Sequence, residues 1–233
     1  MTGTSSTSPN ESGGSVDLLW IVAVLAVGAA IVRATMFTPI EATQGAAQKI
    51  YYIHLPAAIL AFVSFGLTAL TGVLYLWLKN LQLDRVAESS AEVGVTFTTV
   101  VLVTGPIWGK PIWGTWWTWD ARLTSTLFLW FIYVGYLVLR GAIEDRAMRA
   151  RYSAVLGALG ALLIPFIHLS VYMFRTLHPM PIILKPGAPS LPAEMLETML
   201  LSLGAFALLF AALLRARYRL AEARDAAEME GAR

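Results

Sequence analysis

The stretch His54–Leu78 reads His-Leu-Pro-Ala-Ala-Ile-Leu-Ala-Phe-Val-Ser-Phe-Gly-Leu-Thr-Ala-Leu-Thr-Gly-Val-Leu-Tyr-Leu-Trp-Leu, without one Asp, Glu, Lys or Arg. An apolar α-helix of about 20 residues crosses the hydrocarbon core of a bilayer, so a run this long and this pure reads as a transmembrane helix. Five more blocks have the same character: Leu18–Phe37, Ser89–Ile107, Leu123–Ile143, Ser153–Phe174 and Met195–Leu214. Together they use nearly the whole chain. The expected fold is an all-α, polytopic membrane protein with six transmembrane helices and no room for a soluble catalytic domain. Composition agrees: 57% of the 233 residues are hydrophobic and 14% charged, against roughly 25% charged in soluble domains, and the mean hydropathy is +0.65.

Residues 1–16 are rich in Ser, Thr and Gly and lack Lys and Arg. They read as a disordered tail ahead of a membrane domain spanning 17–215. A signal peptide needs a basic start and a small-residue cleavage site, and neither is present, so Leu18–Phe37 stays as a helix. Orientation follows from Lys and Arg in the short connections. Lys79, Arg85, Arg140, Arg146, Arg149, Arg151 and the Arg residues at 215, 217, 219, 224 and 233 fall on one side, and Lys49, Lys110, Arg122, Arg175 and Lys185 on the other. Eleven against five places the first side, with both termini and a C-terminal tail 216–233, in the cytoplasm. This topology accounts for the pI near 9.0 without nucleic acid as a partner. The same bias explains the loop from Arg140 to Arg151; a lipid patch or a docking site for a cytoplasmic subunit is the alternative.

Five of the eight tryptophans fall between Trp108 and Trp119. The topology places this run, in an outward loop 108–122, on the periplasmic side. Trp108, Trp113, Trp116, Trp117 and Trp119 supply large rigid π-surfaces, each with one N–H donor. Interfacial tryptophans also form aromatic belts without any ligand, a reading that suits Trp20, Trp77 and Trp130. The density of the 113–119 cluster points instead to a platform for a flat ligand at a water boundary.

Two of the chain's three histidines, His54 and His178, sit at outward helix ends that flank this run. Pro56 fits the first turn of the second helix, which places His54 at its mouth, and the prolines from Pro179 to Pro192 make the segment after His178 a stiff loop. Imidazole is a good axial ligand for haem iron. The pair can take the two axial positions of a haem lying on the tryptophans. Lys110, Arg122 and Arg175 are then candidates for its propionates, and Asp120 for orienting Arg122 or a tryptophan N–H. The absence of Cys excludes thiolate ligation and thioether attachment on this chain; the expected cofactor is haem b. His168, about ten residues or roughly 15 Å before His178 along a helix, is too deep to share that site. It reads as a structural residue bonded to a neighbouring helix, with the carbonyl freed by Pro165 as one partner.

The string Trp113-Gly114-Thr115-Trp116-Trp117-Thr118-Trp119-Asp120-Ala121-Arg122-Leu123-Thr124 resembles the tryptophan-rich (WWD) signature of haem-handling proteins of cytochrome c biogenesis. With Tyr52–Ala58, Gly105–Pro111 and Pro165–His178, it is most similar to the haem exporter protein C family of the cytochrome c maturation system. The resemblance implies six helices in the bacterial inner membrane, with haem held at the outer face by His54 and His178. It also implies partners: a periplasmic haem chaperone that receives haem, the ATPase and permease subunits of an ABC transporter, and a small single-helix membrane subunit. A haem lyase joining haem to apocytochrome c and a haem permease subunit are the competing readings. The permease reading needs polar residues at the helix centres, and apart from His168 these offer few, which counts against it.

Overall fold

The computed structural model describes residues 17–183 and 185–231; the expected tail 1–16 lies outside them. Seven α-helices follow in order: α1 (Leu18–Val32), α2 (Tyr51–Leu78), α3 (Leu81–Trp113), α4 (Ala121–Ala142), α5 (Arg146–Ala161), α6 (Leu163–Met173) and α7 (Ala193–Gly231). A π-helical turn, Arg33–Phe37, extends α1, and a 3-10 turn, Ala46–Ile50, leads into α2. With α5 and α6 counted as one span, six helical stretches of the described residues are long and apolar enough to cross a membrane. The chain is an all-α polytopic membrane protein, as the apolar blocks predict.

Local chemistry sets the helix ends. Asp17, Asn80, Asp120 and Asp145 each accept a first-turn backbone N–H of α1, α3, α4 and α5 through the side chain, satisfying donors that the helix itself leaves unpaired. Lys79, in the left-handed region at φ 53°, ends α2, and Asn80 at once starts α3. Two long walls of the bundle are thus joined by two residues. Gly114, at φ 75°, closes α3 with its N–H on the Lys110 carbonyl at 3.0 Å, the left-handed C-terminal position that glycine fills without strain.

Several boundaries differ from the apolar blocks. α3 begins at Leu81 and ends at Trp113, so Trp108 and Trp113 stand on a helix and only 114–120 is loop. Its first turns carry Asp84, Glu88 and Glu92, which break the apolar pattern yet remain helical because α4 and α7 supply guanidinium partners. α2 starts at Tyr51 rather than near Pro56, which puts His54 within the helix instead of at its mouth. The fifth span breaks at Leu162, where the Pro165 ring lacks an N–H and clashes with the carbonyl four residues back. α7 continues unbroken over 39 residues, so 216–231 extends the sixth span as a helix whose side chains are mostly exposed. Ala221 and Asp225 are buried there.

Helix α2 packs against α3, α5 and α7, while α1 lies on α7 and α4 touches α3, α5 and α6. Lipid tails are as apolar as leucine, so association rests on close packing and interhelical hydrogen bonds. Phe65 of α2 stacks on Tyr133 of α4 with centroids 3.7 Å apart, and the Tyr133 hydroxyl donates to the Gly157 carbonyl of α5 at 2.8 Å. The two ends of the bundle are then tied differently. At the end bearing the tryptophans, the Lys49 ammonium bonds the Ala34 carbonyl at 2.7 Å and the Thr38 carbonyl at the π-turn. Arg33 there pairs with Glu197 of α7 at 3.0 Å. At the arginine-rich end, Arg140 grips Asp84 through two hydrogen bonds of 2.7 and 2.9 Å and Glu88 at 2.9 Å, and Asp225 of α7 is shared by Arg85 and Arg146.

Candidate functional site

A cavity of about 240 Å³ lies at the tryptophan end among α2, α3, α4, α6 and the segment 174–192. Both His54 and His178 line it, as do Trp108, Trp113, Trp116, Trp117 and Arg122. Its floor is Ala61, Thr98, Leu129 and Ile167. Ala61 is seven residues beyond His54, roughly 10 Å deeper along α2, so the cavity is a cleft reaching into the bundle rather than a shelf on its surface. Beneath it the packed rings of Phe65 and Tyr133 fill the interior.

The two histidines arrive from different kinds of backbone. His54 is held by α3: its Nδ1 is 2.9 Å from the Thr104 hydroxyl, and its ring meets the Trp108 ring edge-on at 5.7 Å. His178 comes from the non-helical segment beyond α6. Its Nδ1 donates to the Pro179 carbonyl at 2.9 Å, leaving Nε2 as the lone-pair nitrogen. The Trp113 ring lies 6.3 Å away. Burial, reinforced by the nearby Arg122 guanidinium, pushes the His178 imidazole down to about 4, so near neutral pH it is an uncharged donor.

The tryptophans divide by position. Trp108 donates its Nε1–H to the Gln44 side-chain carbonyl at 3.0 Å. Trp113 folds back over Gly109, where any Cβ would sit 2.8 Å from the ring; glycine there lets the indole turn along α3 toward His178. Trp117 packs edge-on against Trp119 at 5.8 Å, and its buried Nε1–H has no partner among the described residues. Trp119, 76% exposed, is outside the cavity wall.

The charged residues divide as well. Asp120 spends one carboxylate oxygen on the Arg122 and Leu123 backbone N–H groups and accepts the Thr118 hydroxyl on the other. It builds the start of α4 and makes no bond to a tryptophan N–H. The Lys110 ammonium turns back to the Gly114 carbonyl at 2.9 Å, away from the cavity lining. Arg122 is the cation that lines the cavity, and its buried Nη1 lacks any acceptor among the described residues.

A family model described as heme exporter protein C matches residues 4–231 of this chain. The chain belongs to the haem exporter protein C family. It is 37% identical over 203 residues to the heme exporter protein C of Haemophilus influenzae, covering 87% of this chain and 82% of that protein. With the Bradyrhizobium diazoefficiens protein of the same name it shares 37% over 197 residues, 84% of this chain and 75% of the other. The Escherichia coli K12 protein is 38% identical over 165 residues, 68% of this chain and 67% of that one.

In this haem exporter C chain, the cavity brings together seven of the eleven site residues singled out from the sequence: His54, His178, Trp108, Trp113, Trp116, Trp117 and Arg122. Trp119, Asp120, Lys110 and the exposed Arg175 are outside its lining. Gln44 and Thr104, which hold Trp108 and His54, escaped sequence reasoning. A polar side chain in an otherwise apolar helix one turn before Trp108 was the available signal for Thr104. His168 is half-buried beside Tyr172, ring centroids 6.5 Å apart, and the bond to a neighbouring helix expected of it does not form among the described residues.

Proposed function

We propose that this protein binds haem b in the cleft, holds its iron between His54 and His178, and presents it at the periplasmic face of the bacterial inner membrane to a haem chaperone. The observation that carries this reading is the convergence on one aromatic cleft of two imidazoles and a guanidinium whose Nη1 has no acceptor among the described residues. The chemistry fits haem part by part. The imidazoles offer axial nitrogen ligands, the tryptophans offer flat surfaces for the macrocycle, and Arg122 Nη1 with Trp117 Nε1 offers buried donors suited to propionate oxygens. At about 240 Å³ the cleft is smaller than the 300–1,000 Å³ of pockets that engulf a ligand, which suits a cargo left with one edge open for transfer.

The surplus of Lys and Arg at the opposite end sets the orientation, with both termini cytoplasmic and the cleft periplasmic. Membership of the haem exporter family supports a place beside ABC transporter ATPase and permease subunits and a small single-helix subunit in cytochrome c maturation. The packed Phe65–Tyr133 layer below the cleft favours presentation over passage through this chain. Visible spectra of the purified protein, oxidised and reduced, test the reading: bis-imidazole bands are expected, lost in both His54→Ala and His178→Ala. Stoichiometric haem in the double variant overturns the ligand assignment. Trp117→Ala is expected to lose haem, whereas Trp119→Ala keeps haem and slows capture by the chaperone. Thioether formation on apocytochrome c without the chaperone would instead establish a lyase.

A further inference from the structure

We propose that Thr104 is a positioning residue: its hydroxyl oxygen accepts the Nδ1 proton of His54 and so fixes the tautomer in which Nε2 carries the free lone pair. A threonine hydroxyl has one hydrogen and two acceptor lone pairs. The Thr104 Oγ1 is 2.7 Å from the Val100 carbonyl one turn back on α3, and a carbonyl only accepts. The hydroxyl hydrogen is committed there, the back-bond a helical threonine ordinarily makes. Oγ1 therefore meets His54 Nδ1, at 2.9 Å, as an acceptor, and the imidazole is the donor.

The second imidazole reaches the same state by another route. His178 Nδ1 faces the carbonyl of Pro179 at 2.9 Å, which also can only accept. In a loop, a main-chain oxygen is free for this use. His54 lies inside α2, where carbonyls belong to the helical ladder, so a side chain of the facing helix takes over. The same turn of α3 completes the cradle. Gly105 leaves His54 Cε1 room, an added Cβ there lying 3.5 Å away, and Trp108 closes the other side at 5.7 Å.

The purpose assigned to this tautomer rests on the haem reading of the cleft, while the tautomer itself belongs to the chain alone. Outer partners that hold a ligating histidine through its second nitrogen typically change metal affinity by about 10–100-fold when removed. The test uses the full-length protein in detergent with ¹⁵N-labelled histidine. Nitrogen shifts of haem-free wild type are expected to show His54 protonated at Nδ1 and bare at Nε2, and Thr104→Ser to match it. Thr104→Val, similar in shape but without an acceptor, is expected to show mixed tautomers and to bind haem about 10–100-fold more weakly. An Nε2-protonated His54 in wild type, or a Thr104→Val spectrum identical to it, overturns the proposal. Unaltered helical circular dichroism and elution volume guard against a folding artefact, and rescue by serine separates hydrogen bonding from packing. Haem binding that survives His54→Ala would sink the assignment of His54 to the haem iron while leaving the wild-type nitrogen shifts intact, so the two failures are distinguishable.

Discussion

Replacing Arg122 with Gln isolates the charge that the cleft reserves for its cargo. In the structure the Arg122 Nη1 is buried without an acceptor among the described residues, because Asp120 has committed its oxygens to the first turn of α4 and to Thr118. A hydrogen bond to a charged group contributes about 1.5–3 kcal/mol net, and each 1.4 kcal/mol is tenfold in affinity. Arg122→Gln is therefore expected to weaken haem binding by about 10- to 150-fold. The assay is titration of the purified protein with haem and with its dimethyl ester, whose propionates no longer carry charge. Wild type should prefer free haem to the ester by the same factor. The variant should bind both alike, at the affinity of wild type for the ester. Because the substitution removes an unmet buried donor, the haem-free variant should melt no lower than wild type. Equal losses for haem and ester would refute the reasoning, since they would show that Arg122 supports the cleft without meeting a carboxylate.

Other substitutions probe neighbouring parts of the argument. Arg140→Met strands Asp84 in a buried site, removes one of the two guanidinium partners of Glu88, and is expected to cost about 3–5 kcal/mol, read as a lower melting temperature in detergent. Adding Asp84→Leu and Glu88→Gln should recover most of it. Gly109→Ala forces the Trp113 ring to shift from a 2.8 Å overlap and should weaken haem binding while leaving the helical signal unchanged. A ¹⁵N titration of the haem-free protein should find His178 titrating at about 4, below the ordinary histidine value near 6.5. Since the unfolded chain takes up that proton first, His178 should lower stability as pH falls from about 6.5 toward 4, and Arg122→Gln, which removes a repelling cation, should raise its value.

The spans were legible because bilayer thickness writes itself into apolar run length, as His54–Leu78 shows. Helix ends were less so. Asp84, Glu88 and Glu92 look like a loop in hydropathy, yet Arg140, Arg217 and Arg224 neutralise them from helices far along the chain. Pro56 and Pro111 suggest helix boundaries but lie inside α2 and α3. At the site, unusual residue types pointed to themselves: few histidines, clustered tryptophans, an arginine beside them. What sequence order cannot convey is which donors are already satisfied. Lys110 and Arg122 look equivalent on paper, and only local bonding turns Lys110 back to Gly114 and leaves Arg122 toward the cleft.

The two-residue turn at Lys79-Asn80 has a consequence for biosynthesis. It makes α2 and α3 one hairpin, so His54, Thr104 and Trp108 meet as soon as the chain has emerged to Trp113 and the pair has entered the membrane. Arg122 and His178 belong to later segments. The cleft is therefore built from an early half, brought by α2 and α3, and a late half that brings Arg122 and His178, and in the proposed haem site both faces exist only once translation has passed residue 178.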